Sequence, residues 1–170
     1  VARAARVVRS LTLGLLLLGG CAPAKLPHSL PHRLLGEAPE LPGERGSTRE
    51  LPSDPRVTVV DFWASWCASC RTSLPALEAL HRDHAQDGVR VVGVALDEDP
   101  EQAHALLREL GTSFGGVDDP TQWLADRWSV RKIPLTFVLD RSGVVRWVGR
   151  DMDAMERAVD ALLAMDEAAR

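Results

Sequence analysis

An apolar run rich in β-branched and aromatic residues, Val57-Thr58-Val59-Val60-Asp61-Phe62-Trp63-Ala64, leads through Ser65-Trp66 into the tetrapeptide Cys67-Ala68-Ser69-Cys70. A run that is apolar at both even and odd positions reads as a strand covered on both faces. The chain is therefore committed to a layered architecture, with two thiols placed where the buried strand ends and a helix can begin. Such a pair exists as a dithiol or as a disulfide, and thiol-disulfide exchange is the chemistry it most directly implies.

Helix is predicted from about Cys67 to His84, with Leu74, Leu77 and Leu80 on one side. Pro75 lies inside it, removes a backbone donor and is expected to kink it. Val89 to Leu96 reads as a second buried strand. Asp99-Pro100-Glu101-Gln102 supplies an N-cap, a first-turn proline and a capping-box partner, and Leu106, Leu107 and Leu110 carry that helix to Gly111. Asp118-Asp119-Pro120 is expected to cap a short helix containing Trp123, Leu124 and Trp128. Thr136 to Asp140 and Val144 to Val148 flank Arg141-Ser142-Gly143 as a hairpin with glycine in the turn. A last helix starts near Asp151 and buries Met155, Val159, Leu162 and Leu163. This order predicts an α/β domain over residues 56–170: a central mixed sheet with helices on both faces.

The 170 residues, 45% hydrophobic and 26% charged, accommodate one such domain and a leader. Residues 1–20 read as a signal peptide, because Arg3, Arg6 and Arg9 precede the apolar block from Leu11 to Leu18. That block is far short of the roughly 20 residues that span a bilayer. Leu18-Gly19-Gly20-Cys21 resembles a bacterial lipobox. It predicts a lipid on Cys21 and an anchor in the bacterial cell envelope, facing the periplasm or extracytoplasmic space; the alternative is an ordinary cleaved signal with an incidental cysteine. With Cys21 lipidated, Cys67 and Cys70 are left for each other. A bridge closing so small a loop restrains little of the unfolded chain, which favours redox work over stapling. Residues 21–55 carry seven prolines among Gly, Ser and charged residues and read as a flexible tether, with Ser47 to Leu51 suited to a short edge strand. The net charge of −4, with no dense Lys/Arg stretch, argues against a nucleic-acid partner. Nothing calls for an oligomer, so a monomer is expected.

The segment from about Val57 to Leu163 resembles the thioredoxin superfamily, and with its export leader it looks like the extracytoplasmic TlpA/ResA-type thiol-disulfide oxidoreductases. The resemblance rests on Asp61-Phe62-Trp63-Ala64-Ser65-Trp66-Cys67-Ala68-Ser69-Cys70, on Pro75 at the helix-kink position, on Ile133-Pro134 where the family carries its cis-proline, and on Gly143 and Gly149. The strand-helix unit from Val89 to Gly111 is similar to the TlpA-type insertion. Two departures stand out: Leu135 replaces the threonine common after that proline, and Asp61 stands where many TlpA-type proteins are expected to carry an amide.

The resemblance implies a thioredoxin-like fold and a redox-active Cys67-Cys70 centre, with no bound cofactor and no metal. Cys67 at a helix N-terminus is the expected nucleophile, its thiolate favoured by unsatisfied N–H groups. Cys70, one turn further in, is the expected resolving thiol. Asp61 is implied as a proton relay; read from its neighbours alone, it is either a buried acid that is neutral or partnered, or a strand-end aspartate in water. Trp66, Ile133 and a cis Pro134 are implied at the substrate surface, and Ala68 and Ser69 between the cysteines as the redox-tuning pair. Arg131 and Lys132 either line that surface or are solvated loop charges. Trp63, Trp123, Trp128 and Trp147 are assigned to packing, His81 and His84 to a solvated helix face, and Asp97, Glu98, Asp118 and Asp119 to loops and caps. The implied partners are protein thiol and disulfide substrates, such as apocytochrome c or misbridged envelope proteins, and a membrane electron donor of the thiol-transfer type. Two other function classes stay open: a thiol peroxidase on the same fold, and a copper- or zinc-handling lipoprotein.

Overall fold

The computed structural model describes residues 24–40 and 54–170. The signal peptide, Cys21 and the candidate edge strand Ser47 to Leu51 lie outside the described residues. Five strands, β1 (Val57–Trp63), β2 (Val89–Ala95), β3 (Gly115–Asp118), β4 (Leu135–Asp140) and β5 (Val145–Gly149), form one sheet in the order β3-β2-β1-β4-β5. β1, β2 and β3 run parallel, β4 pairs antiparallel with β1, and β5 pairs antiparallel with β4. All seven residues of β1 are buried, as the apolar run demands of a central strand.

The helices are α1 (Ala68–Asp83), α2 (Pro100–Leu110), α3 (Trp123–Arg127) and α4 (Met152–Ala168). Side chains alternate across a strand, so Asp61 and Trp63 face one side of the sheet and Phe62 the other. On the Trp63 side lies α2, whose His104 and Leu107 line a small cavity together with Trp63, Gly93 and Ala95. Buried Glu78 ties α1 to the segment after α2 by accepting from Ser113 N and Ser113 Oγ at 2.6 and 2.7 Å. On the opposite face Phe62, Phe137 and Trp128, the C-cap of α3, pack at centroid separations of 5.0–5.8 Å. Edge-to-face aromatic pairs of this kind contribute about 0.5–1.5 kcal/mol each beyond burial. Helices thus lie on both faces, as expected.

Most element ends fall at their capping residues. Asp99 accepts from Glu101 N and Gly111 closes α2 in the left-handed region at φ 66°. Asp151 accepts from Ala154 N at 2.7 Å to start α4, and α1 runs through Pro75 without interruption. Gly143, at φ 77°, sits in the β4-β5 turn, where Asp140 Oδ1 accepts from Ser142 N and Val144 N.

Three expectations need correction. The segment read as a flexible tether is, over residues 24–40, laid along β5: Leu30 N donates to Val148 O at 2.7 Å, Gly36 N to Val145 O at 2.8 Å, and Val145 N to Glu37 O at 2.8 Å. Leu34 is buried, and the His32 ring stands edge-on to Phe137 at 5.0 Å. The prolines suit this role because an extended strap along a sheet edge needs few of its own N–H groups. Second, β3 was not foreseen. Its Gly-Gly-Val-Asp sequence lacks a strand pattern, and Asp118 belongs to it rather than to the helix cap. The N-cap of α3 is Gln122, and Asp119, three residues earlier, accepts from Leu124 N and Ala125 N in its first turn. Third, Trp123 is 54% exposed rather than packed. It opens a helix of five residues, and the Arg127 guanidinium stands over its ring, 4.9 Å from the centroid.

Candidate active site

At the end of β1 the chain turns through Ala64-Ser65-Trp66 into α1. A carboxylate from the neighbouring strand end fixes this turn: buried Asp97, just past β2, accepts from Ser65 N at 3.0 Å and from Ser65 Oγ. Trp66 is 65% exposed and projects from the turn. Cys67 is the N-cap of α1, and its Sγ accepts from Cys70 N at 3.2 Å. Cys67 and Cys70 are joined by a disulfide with Cα atoms 5.2 Å apart. Cys70 is fully buried and Cys67 nearly so. The two residues between them are exposed, and Ser69 Oγ lies 3.5 Å from Cys67 Sγ.

Asp61 is fully buried within β1, which decides between the two readings its neighbours left open. Register places it opposite Thr136 of β4, whose Oγ1 donates to Asp61 Oδ1 at 2.6 Å. Asp61 Oδ2 has no partner. Burial pushes this carboxyl from 3.8 up to about 7, against the smaller opposing pull of the Thr136 hydrogen bond. At neutral pH it is poised between acid and carboxylate.

The Ile133-Pro134 bond is cis. Pro134 is buried and directly precedes Leu135, which pairs with Phe62. β4 therefore begins at the end of the sheet where β1 delivers Cys67. Arg150, just past β5, reaches the same loop and donates through Nη2 to Lys132 O at 3.1 Å.

The structure thus gathers Trp66, Cys67, Ala68, Ser69 and Cys70 at one junction, puts the loop of Ile133 and Pro134 at the same end of the sheet, and buries Asp61 in the strand between them. Thr136, Ser65 and Asp97 were missed as parts of this arrangement. Thr136 and Asp61 meet through strand pairing, which a single sequence does not display. Asp97 had a usable signal, an acid directly after a buried strand, but the same signal describes any cap. His81 and His84 are half-buried rather than solvated: His84 Nδ1 lies 3.0 Å from Asp87 Oδ2, and His81 Nδ1 is buried without a partner. Among the described residues no three His, Cys, Asp or Glu side chains converge as metal ligands, and no helix is long and apolar enough to cross a membrane.

Comparison with known proteins gives a consistent result. A family model described as thioredoxin-like matches residues 54–145. The thiol:disulfide interchange protein HelX of Rhodobacter capsulatus is 35% identical over 148 residues, covering 81% of this chain and 82% of that protein. The thiol-disulfide oxidoreductase ResA of Bacillus subtilis is 27% identical over 86 residues, covering 51% of this chain and 48% of ResA. The solution structure of a thioredoxin-like protein in its oxidised form shares the fold, with a TM-score of 0.66 at 23% identity, over 78% of this chain and 98% of that one.

Proposed function

The chain belongs to the thioredoxin-like family and is a thiol-disulfide oxidoreductase of the TlpA/ResA-like class, and from that premise we propose that it reduces disulfides of exported proteins through Cys67 and Cys70. The observation that carries this reading is the disulfide at the N-terminus of α1, with one sulfur at the helix cap and the other fully buried.

In the reduced enzyme the Cys67 thiolate is favoured by the Cys70 N–H and by the positive end of α1. It attacks one sulfur of a substrate disulfide; the Cys67-substrate bond forms, the substrate disulfide breaks, and the first substrate sulfur leaves as a thiolate. Cys70 then loses its proton and attacks Cys67 Sγ. The Cys67-Cys70 disulfide forms and the second substrate sulfur is released. Two electrons pass to the substrate, and a dithiol donor returns them. Asp61 is the base we assign to the Cys70 proton, since a carboxyl near 7 with one free oxygen accepts and returns a proton at neutral pH. Trp66, Ile133 and Pro134 form the surface on which the substrate strand lies, and Pro134 adds no N–H beside the sulfurs. Ala68 and Ser69 tune the potential, the Ser69 hydroxyl acting on Cys67 Sγ.

The rest of the reading concerns place and partners. Residues 1–20 direct export, Cys21 carries the lipid, and the domain faces the extracytoplasmic side of the cell envelope as a monomer without a bound cofactor. A membrane thiol-transfer protein supplies electrons, and apocytochrome c is the substrate class that the TlpA/ResA-type resemblance implies. The direction of electron flow is tested by the reduction potential of the Cys67-Cys70 couple. A value near that of thioredoxin, about −270 mV, is expected of a reductant; one near about −120 mV, as in a strong oxidant, would reverse the direction.

A further inference from the structure

Charge is unevenly distributed around the disulfide. On the β4-β5 side stand three exposed cations: Arg131 and Lys132 immediately before Ile133-Pro134, and Arg150 immediately after β5. Thr136 pairs with Gly149, so the loop before β4 and the loop after β5 leave the sheet side by side. The Arg150 to Lys132 carbonyl bond joins them. Arg131 is paired with exposed Asp126 at 3.4 Å. Lys132 and Arg150 have no carboxylate partner among the described residues, and the acid next to Arg150, Asp151, is committed to the cap of α4. On the β2 side Asp97 is buried against Ser65, while Glu98 is exposed.

Two cations held next to one another without counter-ions repel, and a ligand bringing negative charge relieves that repulsion. They flank the segment where a substrate strand would lie, in a chain whose net charge of −4 would otherwise repel acidic peptides. We propose that Lys132 and Arg150 are specificity-determining residues that dock polypeptides carrying Asp or Glu close in sequence to the reactive cysteine. The inference rests on the thiol-disulfide exchange reading, because the docked segment is one whose sulfur meets Cys67.

The test uses the full chain, reduced with dithiothreitol and freed of it. Three peptides each carry one cysteine in a disulfide with a quenched fluorophore, flanked by Asp-Asp, Gln-Gln or Lys-Lys; exchange rates are normalised to each peptide's rate with dithiothreitol. The Asp-flanked peptide is expected to react about fivefold faster than the Gln-flanked one at low salt, as two exposed ion pairs permit, and the Lys-flanked peptide slowest. In Lys132→Glu and in Arg150→Glu the order of the Asp and Lys peptides is expected to invert, and added salt to erase the preference. Equal rates for all three peptides, or a Lys-flanked preference set by the overall negative charge, would overturn the docking proposal while leaving the exchange function intact. No exchange with any peptide would overturn both. Co-sedimentation with phosphatidylglycerol vesicles that is lost in Lys132→Glu, without a peptide preference, would assign the cations to a membrane surface instead.

Discussion

Asp61 costs the fold stability at neutral pH and gives the site its pH response. Its carboxyl is raised from 3.8 to about 7 because it is buried, with a single hydrogen bond from Thr136. A raised acid binds its proton more tightly in the folded chain than in the unfolded one, so between about pH 4 and 7 the folded state carries more protons and stability falls as pH rises. The penalty is absent below about pH 4, grows through that window and is complete above about pH 7, where it reaches on the order of 4 kcal/mol. Asp61→Asn is therefore expected to stabilise the protein by about that amount at pH 8 and by little at pH 4, as read from urea unfolding at both pH values. The same variant is expected to flatten the pH profile of thiol exchange around 7 and to slow resolution by Cys70. A purely structural aspartate would leave that profile unchanged. The two cysteines and the acid were legible because each is a local signal, a tetrapeptide and an acid in an apolar run, whereas the cis Pro134 followed from the family resemblance alone. Thr136 was not, because its role exists only across the β1-β4 pairing.

The β1-α1 turn is the element on which access to Cys67 depends, and β2 holds it in place. Ser65 donates to Asp97 from both its backbone N–H and its hydroxyl, so the turn is fastened one residue before Trp66. Asp97→Ala removes both acceptors and leaves a backbone donor unsatisfied, which costs about 1–3 kcal/mol. The expected outcome is a loss of that size in unfolding free energy together with an exchange rate lowered by about tenfold, since small misplacements of a reacting group are felt strongly. Wild-type exchange in Asp97→Ala would show that the cap of α1 alone positions Cys67. At this scale the sequence was read well where an element announces its own ends. Asp99 and Asp151 stand at the helix starts their side chains predict, and Gly111 and Gly143 at the turns their backbone freedom predicts. It was read poorly where an element exists by virtue of its neighbour: β3 has two glycines and one apolar residue, and it is a strand because Val92 to Ala95 of β2 offer it a ladder.

Across the whole molecule, the buried strand β1 organises two layers with different work. The face bearing Asp61 and Trp63 carries α1 and α2 and supports the redox chemistry. The face bearing Phe62 is sealed by Trp128, Phe137 and the strap of residues 24–40, which also caps the edge of β5. An edge left open would be a template for pairing with another chain, and proline-rich composition concealed this packing because it describes a bound strap as well as a free tether. The far end of the sheet is held by Asp166, which accepts from Arg56 at 2.7 Å, Arg141 at 2.8 Å and Arg170 at 3.0 Å. What the assembly places behind the exposed Trp66 is the helix-cap sulfur of Cys67 backed by the fully buried Cys70, and the most direct test asks which of them forms the bond to substrate. Cys67→Ser and Cys70→Ser variants, incubated with insulin and quenched with acid, are compared for mixed disulfides by mass spectrometry. The account predicts that Cys70→Ser accumulates the Cys67-insulin adduct and that Cys67→Ser does not; trapping by Cys67→Ser alone would contradict it.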